Sequence, residues 1–389
     1  MKKSILYFIL FFLYSVCGKG QNTIYDFVKL GNFQVGYQDT LVFDTTYRYE
    51  AYGYKGAKPQ FIQLWYPLTS ESANPTFLSF NDFFETGTDD GLSAVRSQLN
   101  KHFQEAIVRD CLEENLITGN ANTFGTHSYS DVLSLIGSIK TKSTLKRNFK
   151  KSQYPVIIYH HGSQSFSFEN YLMAEYFASR GFIFIGTNFH LPYENMQFGL
   201  KPFDKIVKNE EEGSLKNSVE YAQSLSSNSS VFFIGHSWGA QMGLRALDNN
   251  TTIKGLISLE STIEFKEDYK EIEEFWPEVY HKIAIEKTQY HFPILFCAAT
   301  GQEKPFMFFQ NLNVPHCTFA STKEQFEHNA YTSVFYLRYF IDSEVKQTDK
   351  EVVLDRLQLY VNHLELMNDF IGRILKNEIK QGTELTFVK

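Results

Sequence analysis

Five apolar runs recur along the chain: Pro155–Tyr159 (PVIIY), Gly181–Thr187 (GFIFIGT), Val231–Ile234 (VFFI), Gly255–Leu259 (GLISL) and Pro293–Ala298 (PILFCA). Each is continuous rather than alternating, as expected of a strand covered on both faces. Between the first two, Phe168–Arg180 has helical spacing and stops at Gly181, a residue suited to a helix C-cap. A strand, a helix and a second strand this close together predict a right-handed parallel crossover. Helical stretches at Ser214–Ser224 and Ala240–Leu247 separate the later runs, and helices at Ala330–Ile341 and Glu351–Ile379 close the chain. Upstream, Phe33–Asp44 and Gln60–Pro67 are rich in β-formers. This alternation predicts an α/β class: a mostly parallel central sheet, helices on both faces and additional strands at its N-terminal side.

The 389 residues are 43% hydrophobic and 21% charged, which supports one sizeable core and excludes a disordered chain. The net charge is −7 and no Lys/Arg cluster tracks a phosphate backbone, so nucleic acid is not an expected partner. Two stretches break the alternation. Residues 76–150 are polar and helical in places with no buried strand, and residues 264–290 carry dense Glu/Lys interleaved with aromatics. Both are expected as insertions, on the sheet edge or over the C-terminal strand ends where ligands bind in such sheets. Residues 21–389 thus form a single domain. Residues 1–20 precede it as a signal peptide: Met1-Lys2-Lys3 is positive, and Ser4–Val16 is apolar but shorter than the roughly 20 residues a spanning helix needs. Cleavage is expected near Gly18 or Gly20, giving an exported protein with no stable membrane span. A lipoprotein through Cys17 is less favoured, because Val16 stands where a small residue is wanted. After cleavage Cys111, Cys297 and Cys317 remain, an odd number that leaves at least one thiol outside any intramolecular bridge.

Gly235-His236-Ser237-Trp238-Gly239 fits G-x-S-x-G, directly after the strand VFFI and directly before the small-residue helix start Ala240-Gln241-Met242-Gly243. That strand–turn–helix context is what a nucleophile elbow requires. Ser237 is the expected nucleophile. Two strands earlier, Tyr159-His160-His161-Gly162-Ser163 ends PVIIY. Backbone N–H groups at Ser163 and Trp238 are the expected oxyanion donors, and Gly162 and Gln164 are expected to line the substrate site. His160 and His161 do not suggest a metal, since adjacent strand residues point to opposite faces. The base must be a His after Ser237. His316, opening a loop Pro315–Ser321, is favoured over His328, which lies just before a helix. The acid is expected at Glu260, which ends GLISL, with Glu303 after PILFCAATG as the alternative.

Taken together with Gln34-Val35-Gly36-Tyr37, Leu64-Trp65-Tyr66-Pro67, Gly181-Phe182-Ile183 and Pro315-His316-Cys317-Thr318-Phe319, these motifs resemble the α/β-hydrolase superfamily, and most its platelet-activating-factor acetylhydrolase and dienelactone-hydrolase-like branch. The resemblance implies the α/β-hydrolase fold, an acid on the strand after the elbow, hence Glu260, and Ser163 as an oxyanion donor. The expected function is that of a secreted serine carboxylic-ester hydrolase working through an acyl-enzyme, with no cofactor or metal. Its expected partner is a small-molecule, lipid or glycan ester. A serine peptidase or amidase on the same fold, and a catalytically silent exported binding protein, are the alternatives.

Overall fold

The computed structural model describes residues 24–69, 74–85, 90–111, 123–124, 127–146, 149–196, 198, 205–228, 230–261, 263, 269–298, 312–322, 326–340 and 350–389. The expected signal peptide lies outside them. Strands β1 (Gln34–Ala51) and β2 (Tyr54–Leu68) form a long antiparallel hairpin. Strands β3 (Phe77–Ser79) and β6 (Lys140–Leu145) extend the sheet beyond β1, while β4 (Thr123–Phe124) and β5 (His127–Ser128) form a separate small hairpin. The main series is β7 (Val156–His160), β8 (Ile183–Thr187), β9 (Val231–His236), β10 (Ile253–Leu259), β11 (Ile294–Cys297), β12 (His316–Thr322) and β13 (Gly382–Val388). The eleven-stranded sheet runs β13-β12-β11-β10-β9-β7-β8-β2-β1-β6-β3, parallel from β13 to β8 and antiparallel where β8 meets β2.

Val156–Tyr159, Val231–Ile234 and Ile294–Ala298 are buried throughout because both faces of the sheet are covered. Two apolar clusters lie on the two faces. One includes Ile157, Tyr159, Phe232, Ile234 and Cys297; the other includes Val156, Ile158, Val231, Phe233 and Cys317. Helix α1 (Ser93–Cys111), α2 (Tyr129–Gly137), α3 (Tyr171–Ala178), α4 (Lys205–Leu225), α5 (Trp238–Ala246), α6 (Tyr269–Phe275), α7 (Pro277–Tyr280) and α8 (Lys350–Leu375) cover them.

Four expectations are corrected. The 76–150 stretch contains a strand, β6, at which Thr141, Ser143 and Thr144 are buried. The segment Pro315–Ser321 is not a loop but mostly β12, and the chain ends in a further strand, β13, rather than in its long helix. The expected helix at Ala330–Ile341 begins instead as two 3-10 turns, at His328–Tyr331 and Ser333–Leu337. Of the expected 264–290 insertion, the described residues 269–290 include α6, α7 and a π-helical turn at His281–Ile285, with α7 packed against α5.

Candidate active site at the strand ends

Register fixes which residues share one end of the sheet. Ile257 of β10 faces Ile234 of β9, Leu259 faces both His236 and Cys297, and Cys297 faces Ala320. Ser237, Glu260, Ala298 and Ser321 therefore stand at one level, just past the C-terminal strand ends. The backbone holds them there: Ser237 N–H donates to the Leu259 carbonyl at 2.9 Å, Glu260 N–H to Cys297 at 2.8 Å and Ala298 N–H to Ala320 at 2.9 Å.

Ser237 sits between β9 and α5 with φ 53° and ψ −120°, a conformation that L-residues rarely adopt. The turn is tight enough to forbid side chains on either flank. A Cβ on Gly235 would lie 2.5 Å from the Ala240 nitrogen, and one on Gly239 would lie 2.2 Å from the His160 carbonyl oxygen. Those clashes explain both glycines of the motif. Ser237 is half-buried while every other residue from Val231 to Ala240 is buried, so the turn pushes the hydroxyl outward. The turn after β7 approaches it: a Cβ on Gly162 would stand 3.5 Å from that of Ser237. Ser163 and Gln164 follow, half-buried, with Gln164 at φ 60°.

Glu260 is 1% exposed and also takes a positive φ, 46°. Its Oε2 meets His328 Nδ1 in an ion-pair contact. The His328 ring centroid lies 4.7 Å from that of His236, the residue preceding Ser237, and His236 Nε2 contacts the His328 carbonyl at 3.1 Å. Neighbours anchor the turn that carries His328. Tyr331 donates its hydroxyl to the Ala298 carbonyl at 2.7 Å, Asn170 donates to the Tyr331 carbonyl, and Arg356 grips Glu327 through Nε and Nη2. Burial, and then the neighbouring His236 ring, push the His328 pKa down, to about 3. The Glu169 carboxylate opposes that shift.

His316 is not at this level. It begins β12, next to the Cys317–Ile294 pair, five residues before Ser321. At about 3.3 Å per residue that is roughly 16 Å down the sheet. Its Nδ1 contacts the Lys380 carbonyl at 2.7 Å, and its Nε2 contacts the Thr318 hydroxyl at 2.9 Å. The sequence-based choice of His316 is therefore corrected: the histidine brought to Glu260 is His328. Glu303 lies outside the described residues.

Sequence reasoning missed two buried carboxylates beside the turn. Glu169 accepts from Tyr159 hydroxyl at 2.5 Å, from Gly162 N–H at 3.2 Å and from the Ser165 hydroxyl. Burial would raise its pKa, but the facing His236, His161 and Ser165 outweigh that and hold it at about 2. Glu211, on α4, meets His160, His190 and Trp238. Glu211 is a charge at a core-facing helical position, and Glu169 a charge in the turn that leads into α3; neither has any other sequence signal. His160 and His161 diverge as strand alternation requires: His160 faces Glu211, whereas His161 contacts the Gly162 carbonyl and accepts from Phe189 N–H.

A family model described as the alpha/beta hydrolase fold matches residues 142–358, more than half of the chain. No curated protein sequence matches it. Among solved structures, a ferulic acid esterase from Streptomyces cinnamoneus is similar at 10% identity over 90% of this chain and 92% of that one, with a TM-score of 0.52. A Pyrococcus horikoshii acylaminoacyl peptidase matches 60% of this chain and 39% of that one at 14% identity and a TM-score of 0.39. A brefeldin A esterase, described as a bacterial homologue of human hormone sensitive lipase, matches 89% and 86% at 11% identity and a TM-score of 0.40. With the sheet order, the elbow at Ser237 and the family match in agreement, this chain belongs to the α/β-hydrolase fold family.

Proposed function

We propose that the protein is a serine hydrolase of carboxylic esters, with Ser237 as nucleophile, His328 as base and Glu260 as the acid that orients it. The observation that carries this reading is the buried Glu260 carboxylate against His328 Nδ1, one strand away from a serine in a strained elbow. Ser237 attacks the ester carbonyl while His328 takes its proton through the other ring nitrogen, Nε2. Ser163 and Trp238 N–H groups bind the oxyanion. His328 then returns the proton to the leaving alcohol, and water activated by the same ring frees the acyl group. All of these groups come from this chain, and the scheme uses no metal or cofactor. The substrate is a small-molecule, lipid or glycan ester, met outside the cytoplasm after removal of residues 1–20.

A fluorophosphonate probe labels only an activated serine. The purified protein is expected to take up one label, and Ser237→Ala is expected to take up none and to lose at least about 10³-fold in kcat on p-nitrophenyl esters. Peptide anilides in the same panel test amide hydrolysis. Labelling that persists in Ser237→Ala, or faster turnover of anilides than of esters, overturns the assignment. N-terminal sequencing of protein from its host is expected to begin between Gly18 and Gln21; a start at Met1 refutes export by cleavage, and a lipidated Cys17 replaces it with anchoring.

A further inference from the structure

Glu211 is fully buried on α4, a helix that carries none of the groups assigned to the reaction. Its two carboxylate oxygens accept from the Trp238 indole N–H at 2.9 and 3.0 Å. The same carboxylate lies 3.0 Å from His160 Nε2 and 3.1 Å from His190 Nε2. Burial by itself would raise its pKa, but the two imidazoles outweigh that and hold it well below the usual carboxylate range, so it is ionised. An ionised carboxylate in the core persists only where polar groups surround it; Trp238 and His190 hydrogen-bond to this one and the His160 ring stands close against it, so three strand or helix ends meet here. They are the end of β7 (His160), the segment after β8 (His190) and the first turn of α5 (Trp238).

Two of those ends carry the proposed oxyanion donors. Trp238 supplies one N–H itself, and His160 lies three residues before Ser163 on the strand that leads into the turn. These ends touch directly, since Gly239 leaves no room for even a methyl group against the His160 carbonyl. The His160 ring is also clamped on its face by Phe189, with ring centroids 3.7 Å apart and the planes within 3°. Neither end shifts without breaking a contact to Glu211.

We propose that Glu211 is a positioning residue: one buried carboxylate, gripping the Trp238 indole and the His160 ring, sets the spacing of the two oxyanion donors. The inference rests on the serine-hydrolase reading and adds to it the group that holds the hole in shape. A displacement of about 1 Å at such a hole is worth roughly 100-fold in rate. The effect falls on the transition state, because the donors are aimed at an oxygen that becomes charged only there.

The test compares wild type, Glu211→Gln, Trp238→Phe and the double variant. Trp238→Phe keeps the ring and the backbone N–H but removes the indole donor. Folded protein, judged by circular dichroism and a cooperative melt, is assayed on a p-nitrophenyl ester, with a fluorophosphonate and with a boronic acid that mimics the tetrahedral intermediate. Expected for each single variant is a fall in kcat of about 10- to 100-fold with KM within about threefold. Labelling and boronate affinity should weaken in parallel, and the double variant should be no worse than the poorer single one. A role in stability alone would lower the melting temperature and leave kcat and boronate affinity unchanged, and that result overturns the proposal, as do losses confined to KM or independent losses that multiply. If Glu211→Gln does not fold, Trp238→Phe decides: kcat within twofold of wild type refutes the proposal. A wild-type protein that neither labels nor hydrolyses esters defeats the hydrolase reading itself, which no result with the Glu211 or Trp238 variants does.

Discussion

His316 and His328 differ in what their ring nitrogens face, and the proposed choice of base rests on that difference. Both nitrogens of His316 are occupied, by the Lys380 carbonyl and the Thr318 hydroxyl, and its side chain is 2% exposed. His328 sets Nδ1 against Glu260, and although its surroundings are dense enough to lower its pKa, 37% of its side-chain surface still reaches solvent, the side on which the proposed mechanism places Nε2. The expected outcome is that His328→Ala loses about 10³-fold or more in kcat. His316→Gln should stay within about threefold and give up about 1 kcal/mol of stability for one weakened buried hydrogen bond. A steady-state comparison of the two, each checked for folding, settles the choice; a crippled His316→Gln beside an active His328→Ala restores the sequence-based assignment. Glu260→Gln is expected to cut kcat by orders of magnitude and to move the acid limb of kcat/KM to lower pH, because removing the carboxylate withdraws what favours the imidazolium. The strand-end positions of Ser237 and Glu260 were legible because each directly follows an apolar strand. The histidine was not, because its loop has no fixed pattern and only the tertiary contact to Glu260 singles it out.

Elements built from apolar residues were legible, and elements built from hydroxyls were not. β7, β9, β10 and β11 coincide with the runs that mark them to within two residues. Strands β6 (KTKSTL) and β12 (HCTFAST) look like loop sequence, yet Thr141, Ser143, Thr318 and Ser321 are all buried. Burial of such residues requires partners, and β6 finds an unusual one. Glu175 of α3 accepts from the Ser143 hydroxyl at 2.7 Å, from Lys142 N–H at 2.7 Å and from the Tyr25 hydroxyl. Burial pushes its pKa up, to about 7, against those hydrogen bonds. The folded state therefore holds a proton that the unfolded chain releases near its ordinary value of about 4.3. Between those two pH values the native state binds more protons than the unfolded one, so stability falls as pH rises and levels off above about 7. The full effect is on the order of 3 kcal/mol. Denaturant melts of wild type and Glu175→Gln across pH 4 to 9 should show this decline in wild type and a flatter profile in the variant, which has no proton to lose there. Parallel profiles would show that Glu175 ionises normally and that its site is wetter than the fold implies.

At the scale of the whole molecule, the two cores are kept apart by the sheet, and the cysteines report on that separation. Cys297 of β11 faces Ala320 of β12, while Cys317 of β12 faces Ile294 of β11. Along each strand the two cysteine levels are three positions apart, and an odd offset places side chains on opposite faces of a sheet. Accordingly Cys297 belongs to the cluster with Ile157 and Phe232, and Cys317 to the cluster with Val156 and Phe233. Both are buried thiols, and burial pushes the Cys317 pKa up to about 12, so almost no reactive thiolate forms at neutral pH. A disulfide between them would require one side chain to pass through the sheet, whatever the redox state of the compartment. Two outcomes follow from that geometry. Iodoacetamide at pH 8 should leave both residues unmodified in the native protein and alkylate both after denaturation, read by peptide mass spectrometry. Oxidative refolding should yield no peptide linking Cys297 to Cys317. Rapid native alkylation of Cys317 would mean that the β12–β13 edge opens readily, which the seven paired positions from His316–Gly382 to Thr322–Val388 argue against. A Cys297–Cys317 bridge in active protein would be incompatible with the register of β11 on β12, and hence with the level at which Glu260 and Ala298 stand beside Ser237.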